Sequence, residues 1–300
     1  ISNEKPEKRT EIINGRLATY IPLGQSPNIL SFVGNPRTYL WADPSLNSLV
    51  FTHSMATFGD TLNVGYDVSY DGGNTWSTNN SINVEGYSGN ISQGGIINPE
   101  GNIDPNNAFY TFFSQVHDGT TGTLGDDMFG SNKLTNTELP DFNIGLLSSD
   151  STFMRDMSDA FTITQQGVAW YAGSINEYVS GEPTYNGQLV IGKAEIIDGV
   201  MQYEEQLISF LTPNDHFNDI KIAFSPNGLT GYICVMSSSQ GDPVPYTNYH
   251  PILIKTTDGG NTWSDPIHVQ FGGVDGIESV KYYWSDEIIA SIDYYGSGFN

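Results

Sequence analysis

Aromatic and polar side chains of the kind that bind carbohydrate or peptide are concentrated in three long segments, residues 115–142, 174–188 and 237–251. Tyrosine and histidine rings can stack on a ligand, while neighbouring amides and carboxylates supply hydrogen bonds. The same composition also suits an ordinary surface loop, so the pattern predicts a binding surface and no particular reaction. The candidate ligand-binding residues in these segments are His117, Tyr178, Tyr185, Tyr246 and Tyr249.

Three aspartates could supply acid–base chemistry. Glycoside hydrolysis uses two carboxyl groups placed on either side of the scissile bond. Asp156, Asp159 and Asp219 lie near the starts of apolar segments, from which they could point into a common pocket. In a chain with 34 acidic residues such placements also arise by chance. A glycoside hydrolase or lyase therefore stands as the alternative to a binding protein.

Asp118, Asp126 and Asp127 form the one stretch that resembles a metal site. The stretch lacks the alternating oxygen ligands and closing glutamate of a calcium-binding EF-hand loop. The sequence also contains no zinc-ligand spacing, phosphate-binding loop or nucleophile elbow. We therefore predict no metal or cofactor, and keep a structural calcium ion as a weak possibility.

The charge balance excludes several classes of partner. Acidic residues outnumber basic ones by 34 to 11, which gives a formal net charge of −23. Such a surface repels nucleic acid and anionic lipid. No run approaches the roughly 18 apolar residues that a membrane helix needs. The single cysteine, Cys234, lies in an apolar run and is predicted to be a buried, unreactive thiol.

A repeat of about sixty residues organises the chain. Two octapeptides, residues 69–76 and 256–263, are nearly identical and lie 187 residues apart, or three periods of about 62. Apolar, aromatic-rich segments recur independently, with starts separated by 59, 59, 64 and 57 residues, at Leu49, Ala108, Gly167, Gly231 and Ile288. Short strands and polar turns flank these segments. Four antiparallel strands in each repeat predict an all-β fold, a β-propeller.

Both octapeptides suit a tight hairpin turn. Asp-Gly-Gly provides the positive backbone angles that such turns require, and the aspartate can accept hydrogen bonds from turn amides. The tryptophan is a large apolar anchor for the space between sheets. The positions that define the motif are Ser69, Asp71, Gly73 and Trp76 in the first copy and Thr256, Asp258, Gly260 and Trp263 in the second.

This motif resembles the Asp-box (BNR) repeat of the sialidase-like propeller superfamily. The resemblance implies that the boxes are structural turns on the face opposite an active site. Residues 148–150 look like a degraded third copy, and residues 21–28 are similar to secreted surface proteins of Bacteroidetes. Asp-box propellers include glycosidases, sorting receptors and assembly factors, so the fold alone does not assign a function.

The arginines argue against sialidase activity. Sialidases hold the substrate carboxylate with three arginines from different blades. This chain has Arg9, Arg16, Arg37 and Arg155, and none after residue 155. Arg37 stands where the first arginine of the triad would be and is a candidate ligand-binding residue. The later blades cannot complete the triad within this chain, so sialidase activity is not expected. Whether the protein is another kind of enzyme stays open, and we lean against it.

The predicted organisation is an N-terminal extension at 1–15 and a propeller at 16–300, with blade units near 36–98, 99–153, 154–215, 216–275 and 276–300. Residues 18–22 and 29–33 could complete the last blade by pairing with it. Alternatively, the natural protein continues with further blades or domains, and we favour this second alternative. We predict a secreted or cell-surface binding or scaffold module. Its glycan or protein ligand would bind the face that carries the long connections, because the other face has only short turns.

Overall fold

The structure is a computed structural model that describes residues 8–23, 39–55, 64–82, 87–118, 124–137, 143–147, 153–179, 182–209, 217–237 and 250–269. Within these ranges the chain forms one two-stranded and four four-stranded sheets and a single-turn 3-10 helix at Pro105–Asn107. No helix in them is long and apolar enough to cross a membrane. The prediction of an all-β protein made of four-stranded antiparallel sheets is confirmed.

The strands of each sheet follow one another along the chain. The first sheet contains β3 (Leu40–Asp43), β4 (Ser48–Ser54), β5 (Val64–Ser69) and β6 (Ser77–Ile82). The second contains β7 (Tyr87–Ile97), β8 (Phe109–Asp118), β9 (Leu124–Lys133) and β10 (Asn143–Leu147). The third contains β11 (Phe153–Ile163), β12 (Ala169–Val179), β13 (Glu182–Ile197) and β14 (Val200–Ser209). The fourth contains β15 (Phe217–Phe224), β16 (Gly231–Ser237), β17 (His250–Thr256) and β18 (Ile267–His268).

Consecutive sheets pack side by side through their first strands, as propeller blades do. Strand β7 contacts β3 and β4 of the first sheet, and β11 contacts both β7 and β15. We call the end of each sheet where its second strand leads to its third the hairpin end. The opposite end, with the turns between first and second and between third and fourth strands, is the turn end.

The described parts of two predicted long connections are mostly strand. Residues 115–142 contain the end of β8, all of β9 and a turn, and residues 174–188 contain parts of β12 and β13. The polar, glycine-containing sequence suggested loops, but cross-strand pairing extends both hairpins well beyond the apolar segments. Residues 238–249, most of the third predicted connection, lie outside the described ranges.

The sheet boundaries also differ in detail from the predicted units. Strand β7 begins at Tyr87 and pairs with β8, so the second sheet starts before the predicted boundary at 99. The degraded Asp box predicted at residues 148–150 lies outside the described residues. The predicted unit 276–300 and the segment 29–33 lie outside the described residues.

Part of the predicted N-terminal extension is a strand. β1 (Arg9–Ile13) pairs with β2 (Arg16–Tyr20) across a two-residue turn. Asn14 and Gly15 have φ of 49° and 76°, the positive values of a tight hairpin turn. The hairpin is a separate two-stranded sheet, and Ile12 and Leu17 on it are largely exposed.

Three apolar clusters fill the spaces between neighbouring sheets. Tyr66 and Tyr110 stack between the first two sheets with ring centroids 3.9 Å apart. Phe113 and Tyr171 stack at 5.4 Å between the second and third.

Cys234 is buried in the fourth sheet, where desolvation, with Asp219 nearby, raises the pKa of its thiol to about 12. The thiol is therefore protonated and unreactive at neutral pH.

The two octapeptides form the same turn, one between β5 and β6 and one between β17 and β18. Asp71 accepts hydrogen bonds from the Thr75 amide at 2.8 Å and the Thr75 hydroxyl at 2.7 Å. Asp258 accepts the equivalent bonds from Thr262 at 2.9 and 2.6 Å. Trp76 and Trp263 are half-buried, and Trp263 meets Phe224 edge-on at 6.1 Å. The structural role of the motif residues stays a prediction.

The two aspartates in these turns should make the stability of the folded protein depend on pH below about 4. Hydrogen bonds from Thr75 and Thr262 lower the pKa values of Asp71 and Asp258 from 3.8 to about 2. A carboxyl group with a lowered pKa in the folded protein stabilises it at neutral pH, and that contribution is lost as pH falls from about 4 to about 2. We expect the urea midpoint to fall across this window, and to fall less in Asp71→Asn/Asp258→Asn. An unchanged acid response in that double variant would contradict the assignment.

Candidate functional site

Buried polar side chains gather toward the hairpin end of the four sheets. The second strand of each sheet runs toward the hairpin end and the third strand runs away from it. The last residues of the second strand therefore lie beside the first residues of the third strand. Buried apolar residues dominate the opposite halves of the same strands. The buried polar residues near the hairpin end include His53, Ser114, Gln115, Asp127, Arg155, Asn176, Asp219, Ser237 and His250.

The charged centre of this region is a lysine between two aspartates. The Lys221 ammonium contacts the Asp159 carboxylate directly and lies 3.5 Å from Oδ1 of Asp219. The two aspartate side chains are 2% and 1% exposed and the lysine 11% exposed. Burying an ion costs free energy unless an opposite charge compensates it, and here one cation serves two anions. The cluster joins β11 of the third sheet to β15 of the fourth.

A glutamine extends the same line of contacts to the second sheet. Gln93 on β7 is fully buried, and its Nε2 donates to the backbone oxygen of Ser158 on β11. The Ser158 hydroxyl donates in turn to the Ala172 oxygen at 2.5 Å. The side-chain oxygen of Gln93 has no hydrogen-bond partner within the described part of the chain. The first strands of three successive sheets are therefore connected through polar side chains.

Beta-bulges occur beside the main polar residues of this region. The register of β11 shifts between Met157 and Ala160, next to Asp159, and that of β15 shifts between Phe217 and Asp219. A third shift falls between Ile175 and Asn176 on β12. A bulge turns a side chain away from the direction that regular alternation would give it, and bulges are common beside binding and active sites.

The Arg155 side chain is buried and forms an ion pair with Glu205. Its two terminal nitrogens donate to the two oxygens of Glu205 at 2.9 and 2.8 Å, and Tyr203 donates to Glu205 at 3.0 Å. Burial lowers the pKa of Arg155, but the hydrogen bonds and charge of Glu205 outweigh burial and the pKa is raised. Because the Glu205 carboxylate already accepts from both terminal nitrogens of the guanidinium group, Arg155 is poorly suited to bind the carboxylate of a ligand.

Asp127 lies beside this pair and is fully buried. It accepts a hydrogen bond from Tyr171 at 3.0 Å. Burial, followed by the charge of Asp127, raises the pKa of the Tyr171 phenol well above its usual value. Asp127, predicted as a weak calcium ligand, therefore lies in a protein core. Among the described residues no three His, Cys, Asp or Glu side chains are grouped to hold a metal ion.

The predicted ligand-binding residues fall into two groups. Tyr178 and Tyr185 lie on the single β12–β13 hairpin, where Tyr185 is paired in register with Asn176. His117 lies near the end of β8 beside a register shift. Asp118 ends β8 and Asp126 is the third residue of β9. Arg37, Tyr246 and Tyr249 lie outside the residues that the structure describes.

Sequence reasoning named Asp159 and Asp219 but missed their partners. It did not select Lys221, Gln93 or Asn176. One signal was available for the lysine, because Asp219 and Lys221 alternate with isoleucines on a strand whose only other polar residue is Asn218. Charged residues at alternate positions of a buried strand need compensating charges or hydrogen bonds. No local pattern identified Gln93, whose contact lies 65 residues away in the chain.

Comparisons with known proteins gave matches among solved structures only. No family model and no curated protein matches the chain. A protein of unknown function from Dyadobacter fermentans is 10% identical, with a TM-score of 0.43 over 79% of this chain and 71% of that one. Polysaccharide lyase Uly1 is 12% identical, with a TM-score of 0.42 over 78% of this chain and 49% of its own. An endo-arabinase from Bacteroides thetaiotaomicron is 12% identical, with a TM-score of 0.40 over 79% and 82%. The chain thus spans about half the length of the lyase.

Proposed function

We propose that this protein is a propeller-type binding module that holds a hydroxyl-rich ligand, a glycan, at the hairpin end. The observation that carries the proposal is a pair of buried acceptors without an internal donor: Asn176 lies three residues from the hairpin end of β12, and Gln93 lies near the middle of β7. The side-chain oxygens of Gln93 and Asn176 are buried and have no hydrogen-bond partner among the described residues. Leaving a buried polar group unsatisfied costs about 1–3 kcal/mol. A ligand that donates hydrogen bonds would remove this cost.

The chemistry around these acceptors suits sugar hydroxyl groups. Asp159 on β11 and Asp219 on β15 add carboxylate oxygens, and their charges are partly balanced by Lys221. Hydroxyl groups donate readily to carboxylates and amide oxygens. Tyr178 and Tyr185, on the hairpin that carries Asn176, are proposed to add stacking surface. A uronic acid or sialic acid is less suitable, since the surrounding charge is negative.

Replacement of Asn176 by leucine is expected to weaken glycan binding without lowering the stability of the fold. Because the Asn176 oxygen has no internal partner, Asn176→Leu should leave the urea midpoint unchanged or slightly raised. Binding to immobilised glycans on an array should weaken by about tenfold, the equivalent of one lost hydrogen bond. Equal array signals from the variant and the natural protein would refute a role for this residue in binding.

Asn80→Leu provides the contrasting control. Asn80 is also buried, but its amide donates to the Tyr66 oxygen at 3.0 Å and the Ser77 oxygen at 3.1 Å. Its replacement should lower the free energy of unfolding by about 1–3 kcal/mol, since two backbone acceptors lose their donor. Glycan binding by the folded fraction should stay the same.

The alternative function is a glycoside hydrolase or lyase, and Asp159 and Asp219 are the residues that favour it. A hydrolase needs one carboxylic acid and one carboxylate facing the scissile bond. Here a single lysine contacts both carboxylates, and with this arrangement we favour binding as the proposal. A panel of chromogenic glycosides and uronic-acid polysaccharides distinguishes the two: turnover abolished by Asp159→Asn would establish the enzyme.

We place this module outside the cell, secreted or at the cell surface, where glycans are available to it. This location rests on the resemblance of residues 21–28 to secreted surface proteins that the sequence analysis describes. Digestion of the protein by protease added to intact cells is the corresponding test, and full protection would argue against it.

A further inference from the structure

A cavity lies at the turn end, away from the proposed glycan site. It has a volume of about 480 Å³, within the range of small-molecule sites. The turns that follow β3, β7 and β11 surround it, so three successive sheets contribute. Its apolar lining comes from Trp41, Ile96 and Ile163 near the ends of those strands. Sequence reasoning assigned no ligand to this end.

Trp41 is held in place by the first three sheets. The indole packs against two of the three apolar clusters and meets Phe161 edge-on at 6.0 Å. Gly95 on β7 allows this close approach, because a Cβ atom there would lie 3.1 Å from the indole ring and 2.6 Å from Ile163. The ring therefore presents a fixed aromatic surface to the cavity.

The polar lining is acidic and contains no positive charge. Asp43, Asn98, Glu100 and Gln165 contribute to it, and no lysine, arginine or histidine occurs among the described residues that line the cavity. One oxygen of Asp43 accepts hydrogen bonds from the Ser45 amide at 2.9 Å and hydroxyl at 2.5 Å, which fixes the carboxylate. Glu100 is exposed at the rim. The lining thus offers negative charge, hydrogen-bond acceptors and an indole ring.

We propose that this turn-end cavity binds a small organic cation, a protonated amine on a body the size of a monosaccharide. A cation gains from the aromatic ring as well as from the two carboxylates. A neutral sugar of the same shape gains only contact and hydrogen bonds, and an anion is repelled. The net charge of −23 favours the approach of a cation to any part of the surface. The site is independent of the glycan site at the hairpin end.

Glucosamine and glucose form a matched pair of probes, since they differ only in an ammonium group in place of a hydroxyl. The indole N–H signals of ¹⁵N-labelled protein report on the site, with the other tryptophans as internal references. Below neutral pH, glucosamine should shift the Trp41 signal saturably and glucose should shift it at least about tenfold more weakly. Added salt should weaken the glucosamine effect, because the attraction is screened.

Glu100→Gln should weaken glucosamine binding by about threefold, as expected for one partly exposed charge. Glu204→Gln, which removes another exposed charge, on β14, should change nothing. Three results would overturn the proposal: an equal response to glucose, no response of Trp41 to either sugar, or an unchanged affinity in Glu100→Gln. Asn176→Leu should not affect this response, so failure here is distinguishable from failure of the hairpin-end site.

Discussion

Replacing Lys221 with methionine is expected to lower the free energy of unfolding by about 3–5 kcal/mol. Methionine fills a similar volume, so the loss is electrostatic. The change leaves two aspartates, 2% and 1% exposed, without the ammonium that both contact. Breaking a buried ion pair by removing one partner is far more costly than removing an exposed pair, because the remaining charge stays buried. Urea unfolding followed by tryptophan fluorescence measures the loss.

Lys193→Met provides a control with the same substitution. Lys193 contacts Glu195 and lies 3.3 Å from Glu204, but these glutamates are 38% and 73% exposed. Its removal should cost at most about 1 kcal/mol. Asp159→Asn/Lys221→Met/Asp219→Asn should recover much of the stability, since no charge then remains buried. Equal losses for the two lysine variants would show that the cluster is not held by its charges.

The second large effect is expected from alanine at Gly260. This residue has φ of +81° in the second octapeptide, and a Cβ atom there would collide with the ring of Trp170. Trp170 is buried and stacked on Phe224 at 4.6 Å, so it cannot move aside easily. The positive φ costs about 1–2 kcal/mol with a side chain, and the collision adds about 1–3 kcal/mol. Thermal and urea unfolding should both register the change.

Gly73 is the matched position in the first octapeptide. Its φ is +89°, but a Cβ atom would meet only Trp76 at 3.7 Å and Leu49 at 3.8 Å, which are ordinary contacts. Gly73→Ala should therefore show the backbone cost alone, about 1–2 kcal/mol. If the two alanine variants were equally destabilised, the collision of the added methyl group with Trp170 would contribute nothing to the loss of stability at Gly260.

The sequence by itself determined the features that depend on neighbouring residues. The Asp-Gly-Gly turns at 71–73 and 258–260 are closed by hydrogen bonds between residues two to four positions apart, so the motif alone specifies them. The apolar segments that became β4, β8, β12 and β16 were recognisable because each fills the centre of its own sheet. Their spacing of about sixty residues then required four-stranded units.

Tertiary structure decided which polar residues meet. Asp159 and Lys221 are 62 residues apart, Gln93 and Ser158 are 65 apart, and Arg155 and Glu205 are 50 apart. Each contact depends on the register of two strands, and several depend on bulges that composition does not reveal. The same cause explains why the sequence predicts loops at residues 115–142 and 174–188. A polar segment becomes strand when a partner strand satisfies its backbone, and that partner is fixed only by the packing of the whole sheet.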